Sequence, residues 1–380
     1  MKIISLFDSI KIWWGVEKVQ SELSIGLTHL WYDFIHLLLD DTVSKNDYKG
    51  NIISLNEKFI FWFWIKKIFL LFKLWFKVSK ICKKEKTDVI IWQWDFFYMI
   101  VSLSKILFWN KAKCIWVIHT TIWIWPIYIR KILIFLLKKL DKIVVISQEE
   151  YNIFINDYWF SDDKICIIPN SLNFDRINKQ LFENIPHKYK NLFDNWNFTF
   201  INIWRLTYQK NHELLLKSFD EFHKNNKNTQ LVILGDWELH NKLLDLKYSL
   251  SSSWNIHFLW NQINIYPFLS ESDSFVFSSR FEGFGLVLIE SMYIWLPIIS
   301  TKCQSGPIEI LNWKNDNKFE ITDNAILVKN YDQSEYVKAM NMVYNDINLR
   351  NKMKNNNKTH IVKYNSNVTM LQWDKLLKRL

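Results

Sequence analysis

Glycine is nearly missing. The 380-residue chain has 7 Gly against 21 Trp. Ordinary proteins carry roughly 7% glycine, and glycine is the default residue for left-handed turns. A chain this poor in it is short of turn residues, yet Gly and Trp together total 28, close to the ordinary glycine share. Cysteine is sparse too. Cys82, Cys114, Cys166 and Cys303 lie far apart with no C-x-x-C spacing, which argues against a disulfide framework or a zinc site and fits a reducing cytoplasm. Long uncharged apolar runs are absent. Residues 59–77 (F-I-F-W-F-W-I-K-K-I-F-L-L-F-K-L-W-F-K) are broken by lysines every few positions, so no run reaches the ~18 residues of a membrane span. That stretch reads either as an amphipathic helix on an anionic bilayer or as a core helix with snorkelling lysines. The run 115–129 contains His119 and Pro126 and does not read as a span. The opening M-K-I-I-S-L-F ends at Asp8 and is too short for a secretory signal. No internal repeat and no nucleic-acid-binding motif stand out, so the net charge of +10 points to small anionic partners or acidic lipid headgroups.

What is present is a recurring unit of apolar strand, turn and helix. Strands read at residues 1–7, 33–39, 88–91, 112–118, 142–147 and 165–170, and again at 198–203, 231–235, 255–259, 274–277 and 297–301. This alternation predicts parallel doubly wound sheets, and the length allows two domains. Residues 175–197 are polar and weakly periodic and read as a linker. The chain is organised around residues 277–290, F-S-S-R-F-E-G-F-G-L-V-L-I-E. There a strand enters a turn holding Glu282, Gly283 and Gly285, and a helix carrying Glu290 follows. Such a turn offers bare backbone N–H groups and a helix N-terminus to an anion, with a carboxylate at either end for hydroxyls. By spacing alone the same residues fit an ordinary βα loop with solvated acids.

The E-x7-E pattern of Glu282 and Glu290 around G-F-G resembles the signature of retaining GT4 glycosyltransferases. The likeness extends over nearly the whole chain. Residues 204–211 (W-R-L-T-Y-Q-K-N) are similar to the family's donor loop, and residues 305–310 (S-G-P-I-E-I) to a turn in members that use UDP-sugars. The resemblance implies a GT-B fold: α/β, with two Rossmann-like doubly wound parallel-sheet domains facing a central cleft. It places an acceptor domain at 1–175, a linker at 176–197 and a donor domain at 198–361, with a last helix at 362–380 packing back on the first domain. It implies that Glu282 and His119 serve catalysis at the donor sugar. Arg205, Lys210 and the turn residues Phe284, Gly285 and Leu286 would hold the donor phosphates, Glu290 the ribose, and Trp14 and Gly15 would form a glycine turn at the cleft.

The expected reaction moves a hexose or N-acetylhexosamine from a nucleotide sugar, UDP first, to a glycan or lipid-linked acceptor in cell-envelope polysaccharide synthesis. No metal or other cofactor is expected, since no D-x-D motif stands in context. The expected location is cytoplasmic, with peripheral contact to anionic lipid at the inner face of the plasma membrane. Alternatives are a GT-B sugar-nucleotide epimerase of the non-hydrolysing kind and a non-catalytic nucleotide-sugar or glycan-binding protein. The family patterns have glycine where this chain has Trp204, Trp237, Trp260 and Trp295, and Trp31, Trp92, Trp94 and Trp313 also stand at expected turns. Most tryptophans therefore read as UGA codons that the source organism decodes as glycine, with Trp373 as the best candidate for a genuine one.

Overall fold

Runs of Ile, Val, Leu and Phe without alternating polar residues suit strands buried on both faces of a parallel sheet. The computed structural model describes residues 1–7, 15–39, 48–57, 64–93, 111–119, 127–194, 197–236, 238–315, 317–329 and 331–380, except the side chains of 64–72 and 129. Trp14, Trp94, Trp237, residues 59–63 and the side chains of the first half of the aromatic-basic stretch lie outside the described residues.

The chain divides into two units, Met1–Leu172 with Ser366–Leu380, and Asn173–Asn365. In the first, β1 (Lys2–Phe7), β2 (Asp33–Leu38), β3 (Asn51–Ser54), β4 (Val89–Trp92), β5 (Lys113–Ile118), β6 (Lys142–Val145) and β7 (Ile165–Ile167) form one sheet. Its order is β3-β2-β1-β4-β5-β6-β7, and every pairing is parallel. The last helix, Ser366–Lys378, belongs to this unit. Tyr32 donates to Asp374 Oδ1 at 2.7 Å, and Trp373 and Leu377 are buried.

The second unit repeats the plan with β8 (Phe198–Ile203), β9 (Thr229–Leu234), β10 (Ile256–Phe258), β11 (Ser274–Phe277), β12 (Ile298–Thr301), β13 (Phe319–Ile321) and β14 (Ala325–Val328). The order is β10-β9-β8-β11-β12-β14-β13, with β13 antiparallel to β14. The short strands β3, β13 and β14 were not anticipated from sequence. Residues 176–197 are not a bare connector. Asn173 caps the helix Phe174–Leu181 through Arg176 N, Phe174 stacks on Tyr293 at 4.2 Å, and Tyr189 donates to the Leu259 carbonyl, so aromatic anchors hold this polar stretch to the second unit.

In each sheet the chain winds outward in both directions from a central pair, β1 and β4 or β8 and β11. Loops leaving such a pair diverge and open a crevice at the carboxyl ends of the strands. Those loops carry the site residues.

Candidate functional site

In the second unit, the loop after β8 runs through Trp204 and Arg205 into a 3-10 turn, Tyr208–Lys210. Asn211 then takes a left-handed backbone (φ 51°) and starts the helix His212–Asn225. The loop after β11 lies beside it, and the two are stitched together. Ser278 Oγ donates to the Lys210 carbonyl at 2.7 Å, Arg280 N to the Gln209 carbonyl at 2.7 Å, and Gln209 Nε2 to the Phe281 carbonyl at 2.7 Å. This stitching brings Lys210 Nζ to 2.5 Å from Glu282 Oε1, with the two side chains only 2% and 5% exposed. Burial pulls the Lys210 ammonium below its usual range against the raising effect of Glu282, and the nearby Arg205 lowers it further. Two cations and a carboxylate, the Lys–Glu pair 72 residues apart in sequence, thus meet at the strand ends.

The glycine turn stands next to them. Gly285 (φ +89°) precedes the helix Leu286–Tyr293, and no side chain caps that helix, so its first amides are open to a ligand. The turn rests on residues 305–306: Gly306 N and Ser305 Oγ donate to the Gly283 carbonyl at 3.0 and 2.8 Å. A Cβ on Gly306 would lie 2.4 Å from Phe284 Cα, so only glycine permits this approach. Glu290, 5% exposed, accepts from Tyr266 Oη at 3.0 Å. Arg205, Lys210, Glu282, Phe284, Gly285, Leu286 and Glu290 are therefore all carried by the switch-point loops of one unit and the helix that follows the second.

His119 and Gly15 belong to the first unit. Gly15 opens the helix Gly15–His29, while Trp14 lies outside the described residues. His119 follows β5 and is 7% exposed; burial holds its pKa at about 4. Its Nε2 faces Gln93 Oε1 at 3.3 Å, and Nδ1 is buried without a partner among the described residues. A polar chain with no signature in the sequence runs inward from it. Gln93 Nε2 donates to Gln20 Oε1 at 2.6 Å, Ser5 Oγ donates to the same oxygen at 2.9 Å, and Gln20 Nε2 lies 3.1 Å from His36 Nδ1. Each residue comes from a different strand, strand end or helix, so only the sheet register brings them together.

The tryptophans divide into groups. Trp31, Trp159, Trp260 and Trp295 have positive φ, 66°, 52°, 60° and 64°. Trp31 and Trp159 are 93% and 81% exposed. Trp204 lies with its ring centroid 3.3 Å from Lys210 Nζ, and its Nε1 is buried without a partner among the described residues. Two expected turn positions differ. Trp92 is the last residue of β4, fully buried, and the left-handed residue beside Trp313 is Asn312 (φ 53°).

The family profile described as "Glycosyl transferases group 1" matches residues 185–360, and the one described as "Glycosyltransferase Family 4" matches residues 15–176. The chain is similar to the uncharacterized glycosyltransferase MJ1059 of Methanocaldococcus jannaschii, 35% identical over 277 residues, covering 69% of this chain and 67% of that one. It is 28% identical over 323 residues to the amylovoran biosynthesis glycosyltransferase AmsD of Erwinia amylovora, covering 82% and 83%. In fold it resembles the crystal structure of Anabaena HepE in complex with UDP-glucose, with a TM-score of 0.79 at 16% identity and full coverage of both chains.

Proposed function

The chain belongs to glycosyltransferase family 4, enzymes of GT-B fold, and we propose that it transfers a hexose or N-acetylhexosamine from a UDP-sugar, with retention, to a glycan or lipid-linked acceptor. The observation that carries this reading is the buried Lys210–Glu282 pair beside Arg205 and the glycine turn. A buried lysine held by one carboxylate is a cation already desolvated and fixed in place, so it needs little reorganisation to stabilise a departing phosphate. Arg205 supplies a second cation, and the open amides at Leu286 supply neutral donors. Glu282 Oε2, which accepts from Gln209 Nε2 at 3.4 Å, has a further lone pair for a sugar hydroxyl, and Glu290 is assigned to the ribose.

The bond between the anomeric carbon and the β-phosphate oxygen breaks as the acceptor oxygen bonds on the same face. The departing phosphate takes the acceptor's proton, so no side-chain nucleophile is required. The two fixed cations take the place of a divalent ion. His119 is assigned to the donor sugar on the family resemblance. AmsD's role in amylovoran synthesis supports an envelope or exopolysaccharide product, and HepE's UDP-glucose supports the donor base. The Trp204 indole fills the space over the Lys210 ammonium. A pyrophosphate needs that space, so residue 204 is part of the proposal as a glycine in the working enzyme.

The test is a donor screen on the protein carrying glycine at 204, with lipid-linked and soluble acceptors. Product stereochemistry is read by NMR, with and without a chelator. Transfer with retention, unchanged by the chelator and reduced about 10²-fold or more by Lys210→Ala or Arg205→Ala, supports the scheme. Full activity in Glu282→Ala sinks it.

A further inference from the structure

We propose that Gln93, Gln20 and His36 form a relay that positions His119, holding its Nδ1 as a bare hydrogen-bond acceptor, so that the enzyme selects its donor sugar by one hydroxyl offered to that nitrogen. The inference deepens the reading above and rests on it for the assignment of His119 to the donor sugar.

The direction of the relay is fixed at its far end. The Lys49 carbonyl can only accept, so His36 Nε2, 2.9 Å away, carries the proton. Burial keeps the His36 ring neutral at ordinary pH, and its Nδ1 is then an acceptor. The group facing that nitrogen at 3.1 Å must donate, which sets the Gln20 amide with Nε2 toward His36 and Oε1 away from it. Gln20 Oε1 accepts from Ser5 Oγ at 2.9 Å and from Gln93 Nε2 at 2.6 Å, which fills both of its lone pairs. Gln93 is thereby turned with Oε1 toward His119, 3.3 Å from its Nε2. An oxygen there demands the proton on Nε2 and leaves Nδ1 with a lone pair. The opposite tautomer would set two acceptors face to face at Gln93. Each amide turned to relieve that clash passes the same conflict inward, until it reaches the Lys49 carbonyl, which cannot change its role.

The fold holds these side chains in place. Ser5, Gln20, His36 and Gln93 are at most 2% exposed, and His119 is 7% exposed. They sit on β1, on the helix Gly15–His29, on β2, just after β4 and just after β5. The parallel pairings that align those strands therefore align the relay as well. At its outer end, His119 Nδ1 is buried without a partner among the described residues. Buried polar atoms are rarely left so, and a lone pair on a neutral ring calls for a donor. A metal ion would require further ligands, and among the described residues no three His, Cys, Asp or Glu side chains group to supply them. A sugar hydroxyl is the donor that the proposed reaction brings. A site built around such a contact rejects a sugar that lacks the hydroxyl, because the buried nitrogen is then left unpaired.

Two measurements test the relay. The first needs neither donor nor acceptor, so failure of the relay and failure of transfer are separable. Long-range proton–nitrogen NMR spectra of the full chain, labelled at histidine, should show at pH 7 a neutral His119 ring protonated at Nε2, its signals identified by their loss in His119→Gln. In Gln93→Glu the new carboxylate favours a second proton, so the ring should turn cationic at a pH where the native ring stays neutral. A native ring protonated at Nδ1, or a ring in Gln93→Glu that titrates as the native one does, overturns the relay. The second measurement uses the protein carrying glycine at 204 and UDP-hexoses that each lack one hydroxyl. The native relay should lose ten-fold or more in kcat/KM with one of them, and Gln93→Met should lose that discrimination while binding UDP with unchanged affinity. Gln20→Met breaks the relay one residue farther in and should repeat the effect, which guards against a folding failure at position 93. The proposal is overturned if all the deoxy donors are treated alike by the native relay, or if the methionine variants melt lower yet discriminate as before.

Discussion

A left-handed backbone sets an L-residue's Cβ against its own following carbonyl, a strain of roughly 1–2 kcal/mol that glycine does not feel. Trp31 and Trp159 bear that strain with exposed indoles that recover little by packing. Trp260 and Trp295 bear it with some return, since Trp260 stacks on His240 at 4.0 Å and Lys358 Nζ lies 4.2 Å from the centre of the Trp295 ring. The clean experiment therefore uses the first two. Glycine gives back about 0.4–1 kcal/mol through the freer unfolded chain, so Trp31→Gly and Trp159→Gly should each raise stability by a net of about 0.5–1 kcal/mol, read as a higher Tm. Clear destabilisation, or UGG codons at both positions, would make these tryptophans native and remove the case for recoding. Part of this was legible in the sequence, because family patterns have glycine at several of the tryptophans. Trp92, expected in the turn, is the buried last residue of β4; a strand end and the start of a turn look alike when Gln93, Trp94 and Asp95 follow.

At the scale of elements, the parallel strands were readable as unbroken apolar runs, and the E-G-F-G turn was readable because its functional groups adjoin in sequence. Pairings across long sequence separations were not. Nothing near Lys210 announces that its partner is Glu282, and β13 is three residues that acquire meaning only beside β14. The packing of the 305–306 turn under the 283–285 turn is likewise a contact between remote elements, and it makes a sharp prediction. Gly306→Ala would set a methyl 2.4 Å from Phe284 Cα and 2.6 Å from its carbonyl oxygen, backbone atoms that cannot rotate away. The donor turn must shift. The expected result is a loss of about 1–3 kcal/mol of stability and UDP affinity weakened ten-fold or more by titration calorimetry. An alanine variant with native stability and UDP affinity would show that the donor turn does not lean on this support.

At the scale of the whole molecule, both units bury histidines in neutral form, and this ties the stability of each to pH. Burial holds His36 and His119 at about 4 in the first unit, and His212 at about 3 and His360 at about 4 in the second. In the unfolded chain each returns to about 6.5. Between about pH 6.5 and pH 4 the unfolded chain binds protons that the folded chain refuses, so stability falls as the solution is acidified. Each fully buried histidine adds about 1.4 kcal/mol per pH unit to that slope. Above about pH 6.5 these residues add no slope. Two units need not unfold in one step, so urea melts at pH 7.5 and pH 5 should show every transition moving to lower urea at the lower pH. His36 offers the internal control. Its Nδ1 lies 3.1 Å from Gln20 Nε2, which donates to it, so its Nε2–H donates to the Lys49 carbonyl at 2.9 Å, a pattern only the neutral ring supports. His36→Gln can keep a donor and an acceptor there without a titrating proton, so it should flatten the pH dependence of the first unit while leaving that of the second intact. An unchanged slope in that variant would mean that the protonation of His36 is not coupled to folding.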